Sequence, residues 1–237
     1  MNWEPVSAVL FDLDGVLTPT ADVHMRAWEV MFTRVLDQQP TSQDPYTDQD
    51  YFAYIDGKPR YDGVQSFLDA RGIDLPYGQP SDPPELASVC GLGNRKNEIF
   101  NEVLAEEGIT AYPGSLRLMD VLEERGIAMA VVSSSKNAPS VLATAGLADR
   151  FPVVVDGSVA SREQLAGKPR PDTYLYAATQ LGQDAARCVV VEDAVSGVRA
   201  GAAGGFARVI GVDRGAGRSA LRDAGADEVV SDLAELI

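Results

Sequence analysis

The chain is poor in positive charge. Its 237 residues carry 35 aspartates and glutamates against 20 lysines and arginines and one histidine, a formal charge of −15. The field of such a protein repels polyanions, which argues against nucleic acid and anionic membrane surfaces as partners. A small phosphorylated ligand then needs a local basic pocket, and any cluster of bases stands out. Cysteine is scarce too. Cys90 and Cys188 lie far apart and neither has metal-ligand spacing, so a reducing cytoplasm is the expected compartment. Long apolar runs are missing: no segment approaches about 18 uninterrupted apolar residues, and no basic region followed by an apolar stretch opens the chain. Neither a membrane span nor a signal peptide is expected. Internal repeats and low-complexity segments are also lacking. What remains, 45% hydrophobic and 23% charged residues, is the composition of an ordinary globule, long enough for one large core or a core with an insertion.

Against that background the run Ala8-Val-Leu-Phe-Asp12-Leu-Asp14-Gly15-Val-Leu-Thr18 carries the most information. Val6 and Ala8 to Phe11 form a continuous apolar segment of the kind found in a parallel sheet covered on both faces, and Gly15 lets the backbone turn. Asp12 and Asp14 stand at i and i+2, so on an extended backbone both side chains point into one space. Two acids so placed need a cation between them. A hard divalent ion with phosphate as co-ligand fits, since Mg²⁺ takes a few oxygens from protein and the rest from phosphate and water. An Asx-rich turn after a core strand accounts for a lone Asp-X-Asp about as well, and the rest of the chain has to decide.

After this strand the pattern is helical for about 85 residues, then alternates between strand and helix to the end. Apolar residues at helical spacing predict a helix over 21–36. Residues 40–50 read as a polar, proline-containing connection, and further helices are expected over 63–71, 84–90 and 95–107. From Tyr112 onward helices are expected over 115–125, 138–145, 171–181, 195–203 and near Ser219. Strands are expected over 127–132, 153–155, 188–191, 207–212 and 228–230. Glycines such as Gly126 and Gly146 close helices with a left-handed cap. The alternation implies an α/β fold: a doubly wound parallel sheet, with an inserted all-helical domain after the first strand. The expected division is a core of residues 1–20 and 105–237 and a helical domain of residues 21–104.

Ligands in such sheets gather outside the carboxyl ends of the strands. Those ends carry Asp12 and Asp14, then Ser133-Ser134-Ser135-Lys136-Asn137, then Lys168 in a later connection, and Glu192-Asp193. Four carboxylates, a hydroxyl cluster and a lysine suit phosphoryl chemistry with Mg²⁺. In order and on alternating elements, Asp12-X-Asp14, Ser133, Lys168-Pro169 and Glu192-Asp193 resemble the haloacid dehalogenase-like phosphotransferase superfamily, with a helical cap after the first strand. Within it, Phe11 to Leu17, Thr20-Ala-Asp-Val-His24-Met-Arg-Ala-Trp28, Ser135-Lys136-Asn137, Gly57-Lys-Pro-Arg60 and Asn94-Arg95-Lys96-Asn97 resemble the phosphosugar mutases that interconvert β-glucose 1-phosphate and glucose 6-phosphate through a bisphosphate. Pro19, Ser134 and the acidic loop before Arg60 depart from that pattern.

The resemblance implies roles. Asp12 is the nucleophile, forming an aspartyl phosphate. Asp14 is the general acid and base. Mg²⁺ is held by Asp12, the backbone carbonyl of Asp14 and Asp193, while Lys168 and Ser133 hold the transferring group. Glu192 either holds Lys168 or reaches the metal through water. Thr20, Ser134, Ser135, Lys136 and Asn137 complete the expected substrate contacts of the core. In the cap, Arg60 and Lys96 stand out because residues 35–57 hold five aspartates and no base; the pair suits the phosphate that is not being transferred. His24, the one histidine, shares a helical face with Trp28 and suits a reporter of closure, whereas Trp28 reads as packing beside the substrate contacts. A phosphatase can share every core residue, and so remains an alternative. A phosphonate-cleaving relative using Lys58 or Lys96, and a non-enzymatic binding protein, are further readings. The expected partner is a small sugar phosphate, with no nucleic acid and no membrane, and the expected state is a monomer.

Overall fold

The computed structural model describes residues 3–237. In chain order its main elements are β1 (Ala8–Phe11), α1 (Thr20–Asp37), α2 (Asp48–Asp50), α3 (Arg60–Ala70), α4 (Val89–Glu107), α5 (Pro113–Glu124), β2 (Ala128–Val132), α6 (Ala138–Thr144), β3 (Val153–Val155), α7 (Gly157–Arg162), α8 (Asp172–Gln180), β4 (Cys188–Glu192), α9 (Val195–Ala203), β5 (Arg208–Val212), α10 (Arg218–Asp223) and β6 (Glu228–Val230). Two compact units result. One takes the chain up to Thr20 together with Ile109–Ile237, the other Ala21–Gly108.

The first unit is built on a parallel sheet of order β3-β2-β1-β4-β5-β6. β1 lies at its centre, and all four of its side chains are 0% exposed, as a strand covered on both faces requires. Strand order reverses at β1, with β2 on one side and β4 on the other, which makes their carboxyl ends the switch point where ligands of such sheets bind. One face of the sheet packs Leu10, Val132, Val190 and Val209 against Tyr174 and Ala177 of α8 and Val198 of α9. Gly146 after α6 has φ +69°, a left-handed value that releases the chain toward β3 without a side-chain clash.

The second unit is helical and has its own core. Trp28, Met31, Phe32 and Val35 of α1 meet Val64, Phe67 and Leu68 of α3, with the Phe32 and Phe67 rings 3.9 Å apart. The helix expected over 84–90 is not formed. The Ser88, Val89 and Cys90 amides go to the Leu86, Pro76 and Tyr77 carbonyls and not to those four residues back, and Ser88 instead caps a single helix α4 by accepting from the Gly91 amide at 3.0 Å. That helix absorbs the one expected over 95–107. Within 40–50, expected as connection throughout, Thr47 and Asp50 form a capping box that starts α2, which continues as a π-helix over Tyr51–Ile55. In the first unit the short helix α7 was not expected from periodicity; Asp156 caps it by accepting from the Ser158 and Val159 amides. No helix among the described residues is long and apolar enough to cross a membrane.

Candidate active site

Three strand ends and one loop of the first unit build the site. β1 delivers Asp12 while still paired in the sheet, its amide donating to the Val191 carbonyl at 2.9 Å. The chain then turns. The Leu13 carbonyl accepts the amides of Leu17 and Thr18, and Gly15 takes φ +81°, a value that strains any residue with a Cβ. A Cβ at Gly15 would also run into the Asp193 carboxylate, so the turn lies directly under that acid.

Lys168 organises the floor of the site. Its ammonium, with the side chain 3% exposed, lies 2.5 Å from Asp12 Oδ1, 2.5 Å from Glu192 Oε1 and 3.2 Å from the Val132 carbonyl. The Tyr174 ring stands 5.1 Å from the same ammonium, and its hydroxyl donates to Glu192 Oε1 at 3.2 Å. Glu192 Oε2 accepts the Ala194 amide at 2.8 Å, and the carboxylate packs against Gly197 of α9. Glu192 thus contacts Lys168, as one of the two roles open to it from sequence requires. Burial alone pulls the Lys168 ammonium down, yet Asp12 and Glu192 outweigh it and hold it well above its ordinary value. Burial pushes the Asp12 carboxyl well up, opposed by Lys168 and reinforced by the charges of Glu192 and Asp14.

Asp14 is held differently. Its Oδ1 accepts from the Thr20 hydroxyl, which is 2.8 Å from the Thr18 hydroxyl, and its Oδ2 lies 3.4 Å from Ser133 Oγ. The two aspartates thus share a space but not an environment: one is fixed by a buried cation, the other by hydroxyls. Ser133 is the buried start of a serine turn in which Ser133 Oγ accepts the Ser135 amide and Ser135 Oγ the Asn137 amide, both at 3.1 Å. Ser134, Ser135 and Asn137 are half-buried on this turn, whereas Lys136 is exposed.

Asp12, Glu192 and Asp193 offer three carboxylate oxygens within 4.8 Å of one another, a hard-oxygen set that suits a divalent cation. Asp14, expected to hold the metal through its backbone carbonyl, contributes no carboxylate to this group. With four acids and one lysine in the site, a bound cation answers the charge excess that burial makes costly at Asp12.

The remaining candidate residues lie in the second unit. His24 and Trp28 of α1 meet Lys96 of α4. The Lys96 ammonium, on a residue only 3% exposed, contacts His24 Nδ1 and stands 4.9 Å from the Trp28 ring and 5.0 Å from Phe100, on which His24 stacks. Trp28 also packs on Phe32, the core role its spacing suggests. Arg60 donates to Asn97 Oδ1 at 2.7 Å, and Lys58 to Ser66 Oγ at 2.8 Å. Burial lowers the Arg60 guanidinium from its ordinary value. Phe100 and Tyr174 were missed from sequence. The signal for Tyr174 was its place six residues after Lys168 at the start of a helix.

The family model of haloacid dehalogenase-like hydrolases matches residues 6–205. A β-phosphoglucomutase of Mycobacterium tuberculosis is 48% identical over 246 residues, covering 99% of this chain and 92% of that protein. A β-phosphoglucomutase of Bacillus subtilis is 33% identical, covering 98% and 92%. The crystal structure of β-phosphoglucomutase from Clostridium difficile superposes with a TM-score of 0.80 at 23% identity, covering 98% of this chain and 93% of that one, which shows a shared fold. The chain therefore belongs to the haloacid dehalogenase-like family, as an enzyme that resembles the β-phosphoglucomutase isomerases.

Proposed function

We propose that this enzyme is a Mg²⁺-dependent phosphosugar mutase that interconverts β-glucose 1-phosphate and glucose 6-phosphate through an aspartyl-phosphate enzyme and glucose 1,6-bisphosphate. The observation that carries the reading is the split between two neighbouring carboxylates, Asp12 on Lys168 and Asp14 on Thr20 and Ser133, in a chain alike end to end with a β-phosphoglucomutase. An Asp12 oxygen attacks phosphorus, and the bond from phosphorus to the sugar oxygen breaks. Asp14 gives that oxygen its proton, then removes one from the hydroxyl that attacks the phosphoenzyme in the return step. Lys168 and Ser133 hold oxygens of the group in flight. Asp12, Asp193 and the Asp14 carbonyl would hold the Mg²⁺, which offsets negative charge on the transferring phosphoryl. In the second unit, Arg60 and Lys96 bind the phosphate that is not being transferred, with His24 steadying Lys96. Thr20, Ser134, Ser135, Lys136 and Asn137 line the substrate's path on the first unit. On this reading the enzyme works as a cytoplasmic monomer on a small sugar phosphate, and two buried cysteines suit that compartment.

The family's hydrolase name supports a second reading, a sugar-phosphate phosphatase using the same Asp12. The test follows β-glucose 1-phosphate with Mg²⁺, with and without bisphosphate primer. Primed conversion to glucose 6-phosphate, lost in Asp12→Asn, is expected. Release of inorganic phosphate from many sugar phosphates with no primed conversion overturns the mutase reading.

A further inference from the structure

The turn that follows Asp14 is too short to satisfy its own carbonyls. Three successive ones, of Gly15, Val16 and Leu17, are each taken by a different group. Arg214 Nε donates to Gly15 at 2.8 Å, Ser115 Oγ to Val16 at 2.7 Å, and the Tyr112 amide to Leu17 at 2.9 Å. Two of the donors come from one segment at the start of α5. The third stands on the loop after β5, and its guanidinium lies 4.0 Å from the centre of the Tyr112 ring, so the donors brace one another.

The loop that presents Arg214 is itself fixed. Asp213 Oδ1 accepts the amides of Gly215 and Gly217, both at 3.1 Å, and Arg214 Nη1 donates to the Ser231 carbonyl at 3.1 Å. Arg218 ties the same strand end down through Ser231 Oγ, at 3.0 Å, and the Val229 carbonyl. Arg214 Nη2 is buried and has no partner among the described residues. A buried donor with no acceptor is costly, so this guanidinium is retained against a penalty that its contacts to Gly15 and Tyr112 offset.

We propose that Arg214 is a positioning residue for Asp14. It acts through the Gly15 carbonyl on the backbone that carries the acid–base carboxylate, and the proposal rests on the proton-transfer role given to Asp14 above. Asp12 has its own supports, the sheet bond to Val191 and the Lys168 ion pair. Loosening the turn therefore moves Asp14 and leaves Asp12 in place; the Asp14 carbonyl that would help to hold Mg²⁺ moves with it, so the two donors are compared at saturating Mg²⁺. The two effects separate chemically. A phosphoryl donor whose leaving group departs as a stable anion needs no proton from Asp14, whereas a sugar alkoxide does.

The experiment measures single-turnover formation of the aspartyl phosphate, with Mg²⁺, from acetyl phosphate and from glucose 1,6-bisphosphate, in wild type, Arg214→Ala, Arg214→Lys and Asp14→Asn. The bisphosphate rate is expected to fall at least about tenfold in Arg214→Ala, with the acetyl phosphate rate within about threefold of wild type, the pattern Asp14→Asn shows more strongly. Added guanidinium is expected to restore the bisphosphate rate in Arg214→Ala, and Arg214→Lys, which keeps a donor, covers a failure of the alanine variant to fold. An equal fall for both donors, or no fall for either, overturns the proposal while Asp14→Asn still discriminates. If Asp14→Asn itself slows both donors alike, the acid–base reading fails and the proposal falls with it.

Discussion

Replacing Lys168 with methionine tests whether the buried ion pairs hold the first unit together. Methionine refills most of the aliphatic stem, so little cavity is created and the change is mainly one of charge. Two carboxylates, with side chains 9% and 1% exposed, each lose a cationic partner at 2.5 Å. Breaking a buried pair by removing one member costs about 3–5 kcal/mol. Glu192 keeps its bonds from Tyr174 and Ala194, which sets the expectation near the lower end, at about 3 kcal/mol at pH 7. The pH dependence has a definite sign. Asp12 has a raised folded pKa, so the folded state holds that proton longer than the unfolded chain does, and its contribution to stability declines as pH rises above the unfolded carboxylate value, about 4. In the wild type the Lys168 ammonium counters this, and its own raised pKa keeps its contribution intact below the unfolded lysine value, about 10.4, with loss only as pH climbs through the folded value. The deficit of the variant should therefore be small at pH 5 and grow toward pH 8. Urea unfolding can be followed by Trp3, which is buried in the first unit and donates to the Leu236 carbonyl at 3.2 Å, in a Trp28→Phe background that removes the other tryptophan. A deficit below about 1 kcal/mol at pH 7, or one larger at pH 5 than at pH 8, refutes the reasoning.

Three further expectations are independent of it. Gly15→Ala forces a Cβ onto a backbone at φ +81° and into the Asp193 carboxylate, and should cut turnover on the phosphosugar at least about a hundredfold and destabilise by about 1–3 kcal/mol, read by steady-state kinetics and thermal melting. Burial, with Asp184 beside it, pushes the Cys188 thiol up to about 11; at pH 8 only about one in a thousand molecules carries the thiolate, so iodoacetamide should spare Cys188 until the protein is denatured, and early labelling in a mass-spectrometric time course contradicts this. The Tyr46 hydroxyl is buried without a partner among the described residues, so Tyr46→Phe should leave urea stability unchanged or raise it by up to about 1 kcal/mol; a loss of more than that means the hydroxyl has an acceptor.

The strands and most helices of the first unit could be read directly, because a buried parallel strand is continuously apolar and a helix beside it repeats at 3.6 residues. Cys188 to Val191 and Val195 to Ala203 show both patterns within sixteen residues. The polar residues that end those strands were readable for the same reason: a carboxylate directly after four or five apolar residues marks the mouth of the sheet. Glu192 shows where this stops. It lies in the strand and is 1% exposed, and its part as an anchor of Lys168 follows from Tyr174 and Ala194, which spacing does not connect to it. Arg214 was hidden more deeply, since an arginine in a glycine-rich loop has no pattern to betray the carbonyl it holds. In the second unit the π-helix over Tyr51–Ile55 departs from the 3.6 period itself. The helix expected over 84–90 fails for a reason that spacing does not show, since the Val89 and Cys90 amides are taken by the Pro76 and Tyr77 carbonyls.

The central position of β1 has a bearing on how the molecule is made. Phe11 pairs with Val131 on one side and Val191 on the other, so the strand that presents Asp12 must wait during synthesis for two neighbours that follow far behind it in the chain. At about 5–20 residues per second, Val191 follows Phe11 by roughly nine to thirty-six seconds. In that interval Ala21–Gly108 is complete and has its own apolar core to collapse around. No hairpin can shelter β1 meanwhile, because its sheet partners are all parallel and distant in sequence. Asp12 at its end comes together with Glu192 and Asp193 only after both of these have been synthesised. A nascent or truncated chain ending before them has Asp12 but no cluster of acids, so a group that suits a divalent cation assembles only when the sheet that supports it can close.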